Sequence, residues 1–305
     1  MLVSVLSLVY NHAPYLDAFF KGVLSQVFPF KFEIVIGIDE SSDASLIICK
    51  RYQLQNPGII KIIEHKQRVG MINNFVATYN ACTGQYIAVC EGDDYWIDNQ
   101  KLKKQVALLD ENPVAVICFT NIKIYDQETG SFHPNWATIK RRKYFIKNII
   151  DSNSISFCSV LFRNNLVKLD QDSYKGLSMA DWPLYIQLLK HGYAIFLKEQ
   201  TAVYRRSYSS SYSKTPVVDQ LFKKKDVIEY LLTLTELSNY RRDLMKAYRN
   251  HQYAIAIRLK KTDPQRHLFF KELIAGFSFG NIVLPFKAIL RMQNGRLGDK
   301  NLPAV

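Results

Sequence analysis

Short apolar runs alternate with amphipathic stretches and polar turns along the first two thirds of the chain. Residues 2–10 form a nearly unbroken apolar run, the pattern of a strand covered on both faces. The NHAP turn at 11–14 follows, and apolar residues then recur at helical spacing over 15–26. Residues 32–38 predict a second strand, 39–43 a polar turn, and 45–52 a helix that Ser42 or Asp43 caps. A third strand at 59–63, a helix at 72–82 and a fourth strand at 86–90 continue the alternation. Such alternation predicts an α/β fold, a mixed and mostly parallel sheet with helices on both faces. Beyond it, the spacing predicts a helix at 98–111, a strand at 114–124, a loop over 126–138, an extended stretch at 154–162 and a helix at 179–191. Two short late strands are expected at 194–197 and 202–205. From about Asp219 the period is helical only, with Tyr240, Leu244, Ala247, Tyr248, His251, Ile255 and Leu259 on one face. The expected division is a catalytic domain over 1–213 and a basic helical C-terminal extension over 214–305.

Composition narrows the class. A chain of 305 residues with 48% hydrophobic content can bury a large core, which excludes wholesale disorder. The net charge is +13, and +9 of it falls on residues 214–305. The basic excess therefore belongs to the tail, where it suits an anionic lipid or phosphorylated partner, or simply a solvated face. The five cysteines are widely spaced, without a CxxC or Cys/His cluster, and read as buried thiols in a reducing compartment. The N-terminus reads as a strand, not a signal peptide, and no apolar stretch is long enough to span a bilayer. The expected compartment is the cytoplasm, or the inner face of the cell membrane if the tail meets lipid.

Candidate chemistry collects at strand ends. Ligands of doubly covered parallel sheets bind beyond the carboxyl ends of the strands. Residues 10–12, 39–43 and 91–94 all occupy that position. The run Cys90-Glu91-Gly92-Asp93-Asp94 crowds three carboxylates that repel one another unless a cation or hydroxyl ligand lies among them; a solvated acidic loop is the alternative. No Walker loop or dinucleotide fingerprint is present.

The segments SVLSLVYNHAPYL, EIVIGIDESSD, GQYIAVCEGDDYWID, MADWPLYIQLLKHG and YRRSYSS, in that order and spacing, resemble the family-two glycosyltransferases. The resemblance covers roughly residues 1–210 and implies the GT-A nucleotide-diphospho-sugar transferase fold. It further implies that Val9, Asn11, His12 and Asp39 line the nucleotide pocket. Glu91 and Asp93 would meet the ribose and diphosphate, with Asp93 and Asp94 holding Mn²⁺ or Mg²⁺. Asp181 would be the general base of an inverting transfer, although a helix N-cap is the ordinary role for an aspartate there. Arg205, Arg206 and Arg163 would reach the diphosphate through guanidinium forks, with solvated surface charge as the alternative. Trp96 and Trp182 have two readings, sugar-facing surface or core. Three positions depart from the family pattern. Ile38 stands where many relatives carry an acid, Glu91 replaces an aspartate, and Ser207 stands where a histidine is common. Serine is a poorer metal ligand, so the last departure implies weaker or reorganised metal binding.

The implied activity is transfer of a sugar from a nucleotide-diphosphate donor to a hydroxyl of a glycan or lipid-linked acceptor, in bacterial surface-polysaccharide assembly. The apolar, Lys-interrupted run at 268–290 suits peripheral membrane contact, intramolecular packing or a homodimer. Its rival is a noncatalytic basic module that binds membrane or protein on a transferase scaffold. No nucleic-acid-binding motif accompanies the basic tail.

Overall fold

A computed structural model describes residues 2–135, 141–206, 215–263 and 266–267. In chain order the elements are β1 Val3–Val9, α1 Leu16–Leu24, β2 Phe32–Ile38, α2 Ser45–Gln55, β3 Ile60–Glu64, α3 Met71–Asn80 and β4 Tyr86–Val89. There follow β5 Tyr95–Trp96, α4 Lys101–Asp110, β6 Ala115–Asp126, β7 Ser131–Pro134, β8 Lys143–Tyr144, α5 Ile146–Ile149 and β9 Val160–Arg163. Then come α6 Asp181–Leu189, β10 Tyr193–Arg206, α7 Val217–Thr233 and α8 Arg241–Thr262.

One mixed sheet runs in the order β3-β2-β1-β4-β9-β6-β10-β5. Its first four strands are parallel, β9 is antiparallel to both of its neighbours, and β6 and β10 are again parallel. All seven residues of β1 are buried, the consequence of covering both faces. Their alternation assigns the two cores. Val3, Val5 and Val9 pack in the layer that holds Phe19, Phe20 and Leu102, from α1 and α4. Leu6 and Leu8 pack in the layer that holds Phe75, Tyr185 and Ile228, from α3, α6 and α7. The chain proceeds outward from β1 to β2 and β3, then returns to place β4 on the other side of β1. This reversal opens a crevice at the carboxyl ends of β1 and β4.

The chain divides into compact units at 248/249, so α7 belongs to the same unit as the sheet. Among the described residues no helix is long and apolar enough to cross a membrane. All five cysteines are buried and free. The run at 268–290, Ser207 and Lys140 lie outside the described residues.

Several expectations are corrected. The two late strands are one strand, β10, whose pairing with β6 shifts register around Leu197, Gln200 and Ala202. The polar Lys198-Glu199-Gln200 stretch breaks the alternation without ending the ladder, as β-bulges do. The loop over 126–138 contains β7, which folds back on β6 through a turn that Asp126 Oδ1 holds by accepting the Glu128 and Thr129 N–H groups. Of the two readings open for Trp96 and Trp182, core holds for both: they are 3% and 1% exposed, and their indole N–H groups donate to the Cys158 and Ile149 carbonyls.

Candidate active site

Backbone bonds lock the carboxyl ends together. Asp39 N–H donates to the Val9 carbonyl and Gly92 N–H to the Leu8 carbonyl, both at 3.0 Å. The β1–α1 turn is stitched to the β2–α2 turn by side chains. Asn11, in the left-handed region at φ 55°, accepts Ser42 N–H on Oδ1 at 2.8 Å and donates its own N–H to Ser41 Oγ at 3.1 Å. His12 N–H donates to Ser45 Oγ at 2.8 Å and Ala13 N–H to Asp43 Oδ2 at 2.9 Å. Asp43 Oδ1 also accepts the Ser45 N–H at 2.9 Å, but the N-cap of α2 falls on Ala44, so neither Ser42 nor Asp43 caps the helix as the sequence suggests. Burial works against the Asp43 charge, but the Ser45 and Ala13 bonds outweigh it and hold the carboxyl below its usual range. Gly92 lets the acidic turn close onto this platform, because a Cβ there would stand 2.8 Å from Val9 Cγ2 and 2.9 Å from His12 Nδ1.

Asp39 is 4% exposed. Its carboxylate accepts the N–H groups of Glu40 at 3.0 Å, Val69 at 2.8 Å and Gly70 at 2.9 Å, tying β2 to the start of α3. Beside it the Arg68 guanidinium lies 4.5 Å from the centre of the Tyr10 ring, and Arg68 N–H donates to Glu40 Oε2 at 3.1 Å. Tyr10, within the 10–12 turn expected at this end, supplies an aromatic face, and Arg68 adds a cation that the sequence did not single out. The signal available for Arg68 was its position just before α3, an element that borders Asp39.

The acidic turn is treated differently. Asp94 is 1% exposed; Oδ1 accepts the Arg205 N–H at 2.8 Å, whereas Oδ2 is buried with no hydrogen-bond partner. Desolvation, then the charges of Asp93 and Glu91, push its carboxyl well above the usual range. Desolvation, then Asp93 and then Asp181, likewise push Glu91 up. Asp93 is partly exposed, and its Oδ2 lies 3.8 Å from His12 Nε2. His12 Nδ1 is buried without a partner.

Asp181 opens α6, with the N-cap position falling on Ala180, so the carboxylate sits in the first helical turn and not at the cap. Burial raises its carboxyl, against the pull of the Trp182 and Asp181 N–H groups and of Asn153. Asn153 Nδ2 donates to Asp181 Oδ2 at 2.7 Å, and Asn153 Oδ1 in turn accepts the Ile155 N–H at 3.0 Å. Nothing in the sequence singled out Asn153, which lies in an irregular segment far from Asp181 along the chain.

The structure thus brings Val9, Asn11, His12, Asp39, Glu91, Asp93, Asp94 and Asp181 to one end of the sheet. Arg205 and Arg206 reach the same end on β10 with protein partners of their own. Arg206 pairs with the buried Asp126, and Arg205 contacts Asp93, Asp94 and Gln127. Arg163 lies at the opposite end, paired with the first residue of β4, where it donates to Ala115 O, Tyr86 Oη and Leu109 O.

Among the described residues, no group of three or more His, Cys, Asp or Glu side chains is placed to hold a metal ion. The donors at the turn are nevertheless suited to a hard divalent cation. Asp94 Oδ2 is unpartnered, the Asp93 carboxylate faces partly outward, and burial followed by mutual repulsion raises Glu91 and Asp94, a cost that a cation among them relieves. A hollow of about 290 Å³ lined by residues 69–73 and 175–178 adjoins the donors to Asp39. A larger one, about 880 Å³, lies between α1 and β5. Neither takes in Asp93, Asp94 or Asp181, and the chemistry of the carboxylates locates the site better than the hollows do.

Comparison with known proteins gives a consistent picture. Rv1520 of Mycobacterium tuberculosis, an uncharacterized protein, is 32% identical over 209 residues, 67% of this chain and 58% of its own. The chain therefore spans under two thirds of the length of the curated relatives first matched. Among solved structures, S. aureus TarS 1-349 in complex with UDP-GlcNAc aligns with a TM-score of 0.66 at 16% identity, covering 88% of this chain and 79% of that one. The mannosyltransferase PcManGT of Pyrobaculum calidifontis, in complex with GDP-Man and Mn²⁺, aligns with a TM-score of 0.60 at 16% identity, covering 96% and 79%. Both likenesses show the shared GT-A fold. The model of glycosyl transferase family 2 matches residues 4–171, more than half of the chain, and the protein belongs to that family.

Proposed function

We propose that the protein is an inverting glycosyltransferase that moves a sugar from a nucleotide-diphosphate donor to a hydroxyl of a glycan or lipid-linked acceptor. The observation that carries this reading is the meeting of three carboxylates whose charge burial disfavours, Glu91, Asp94 and Asp181, with the Asp39 platform at one end of a family 2 sheet. Tyr10, Asp39 and the β1–α1 turn form the nucleoside side, with the ring of Tyr10 offering a face for the base. Asp93 and Asp94 would hold Mn²⁺ or Mg²⁺, which when bound stabilises charge on the departing diphosphate.

Asp181 takes the proton of the acceptor hydroxyl as its oxygen bonds to the anomeric carbon. The bond from that carbon to the diphosphate oxygen breaks, and its electron pair leaves with the nucleotide. Burial raises the Asp181 carboxyl and so increases its basicity once ionised. Asn153 donates to one carboxylate oxygen, Oδ2, and so holds the carboxylate in place. The donor bound by TarS and the donor and Mn²⁺ bound by PcManGT, in proteins of the same fold, support a nucleotide-sugar donor and a divalent ion here. The basic tail supports a membrane-side acceptor, a peripheral location at the inner face of the membrane, or self-association. The catalytic part is proposed to span 1–213, with 214–305 as the extension.

Calorimetric titration with UDP, GDP and dTDP, with and without Mn²⁺, tests the donor side. Binding of at least one nucleotide, strengthened by Mn²⁺, is expected. A chain that binds none of them or their sugar conjugates is not a nucleotide-sugar transferase.

A further inference from the structure

Four segments meet at Arg205. Its backbone N–H donates to Asp94 Oδ1 at 2.8 Å, its Nε to the main-chain carbonyl of Asp93 at 2.9 Å, and its Nη1 to Gln127 Oε1 at 2.9 Å. The guanidinium carbon lies 4.8 Å from the ring centre of Tyr15, 5.3 Å from that of Tyr125 and 5.4 Å from that of Tyr95. Tyr15 precedes α1, Tyr95 follows the acidic turn, and Tyr125 and Gln127 belong to the β6–β7 hairpin. A guanidinium suits this setting because its faces stack on rings while its edge still donates to oxygens in the plane. With three rings beside it and two of its nitrogens committed, this side chain is built in. The neighbouring Arg206 ties the same strand end to the hairpin through Asp126.

We propose that Arg205 is a positioning residue. Held by the tyrosines, it fixes the Asp93–Asp94 peptide, and through it the orientation of the two carboxylates, and it links the order of the acidic turn to that of the β6–β7 hairpin. The functional part rests on the reading of that turn as the cation and diphosphate site.

Two measurements on Arg205→Met test it. Without ligand, amide hydrogen exchange across residues 91–96 is expected to rise about fivefold or more, the effect of losing about one net hydrogen bond. In calorimetry with UDP, GDP and dTDP, the Mn²⁺-dependent part of the affinity is expected to fall about 10–100-fold, as for other groups that orient metal ligands, while metal-free binding is unchanged. Tyr125→Leu, which leaves Arg205 and the acidic turn intact, shifts both readouts the same way by less, and it carries the test if the arginine variant does not fold. Unchanged exchange overturns the proposal, whether or not nucleotide binding falls; a fall equal with and without Mn²⁺ marks Arg205 as a direct phosphate arm. If the wild type binds no nucleotide, the transferase reading fails, and the exchange result still decides whether Arg205 holds the turn.

Discussion

Carboxylates on the two sides of the crevice receive opposite treatment. Asp39 accepts three backbone N–H groups, and Asp43 is held low by Ser45 and Ala13. Across β1, Glu91 and Asp94 are pushed up by desolvation and by one another's company, Asp94 Oδ2 accepts nothing, and Asp181 is raised by burial. Satisfied carboxylates tie loops together; unsatisfied ones cost stability and are kept only where a ligand or proton completes them. The Asp39 side is therefore a platform already tied from within, and the Glu91–Asp94 side is where, on the function proposed above, a ligand completes the carboxylates.

The largest effect expected from breaking this contrast is catalytic. Asp181→Asn should lower turnover by about 10²–10⁴-fold, the usual worth of a general base, while nucleotide binding measured by calorimetry persists. Near-normal turnover would remove Asp181 from that role. Next is Asp39→Asn, whose amide must turn its NH₂ toward backbone donors or leave one of them unmet. A loss of about 1–3 kcal/mol in denaturant unfolding is expected.

Asp94→Asn should act in the opposite direction. Its folded carboxyl is raised above the unfolded value, so ionisation costs the folded state stability as pH rises through and beyond the ordinary carboxylate range. At neutral pH the variant should melt on the order of 2–4 °C higher, the equivalent of about 1 kcal/mol in a chain of this size. The gain should vanish at pH values where both states are protonated. A lower melting temperature at neutral pH would mean that the Asp94 charge is already compensated. The smallest effect is at Asp126, which its bonds from Arg206 and Thr129 hold down to about 2. Its folded value lies below the unfolded one, about 3.9, so its contribution is present above that value and fades as pH falls through the folded one. The melting difference between Asp126→Asn and wild type should shrink over that window, and a difference that stays constant to pH 2 would count against the pair.

The sheet was largely legible because residues 2–10, 32–38 and 86–90 are apolar on both faces, a pattern that depends on burial and little on distant partners. β10 was read as two pieces because Lys198-Glu199-Gln200 interrupts the alternation, and β7 was missed because its SFHP segment carries almost no apolar signal. At the site, the residues that strand ends present, Asp39 and Glu91 to Asp94, could be read from the chain alone. Asn153, Tyr125 and Gln127 could not, since an amide on a carboxylate or a ring on a guanidinium is created only by tertiary contact. For the same reason the sequence could not show that Arg205 and Arg206 have protein partners, or that both tryptophans are core.

Thermal unfolding of wild type and Asp94→Asn, each with Mn²⁺ and UDP, GDP or dTDP added separately and together, tests the central contrast most directly. One nucleotide together with Mn²⁺ is expected to raise the melting temperature of the wild type more than either alone, and this synergy is expected to disappear in the variant. Equal synergy in both proteins, or a wild type indifferent to every combination, would contradict it.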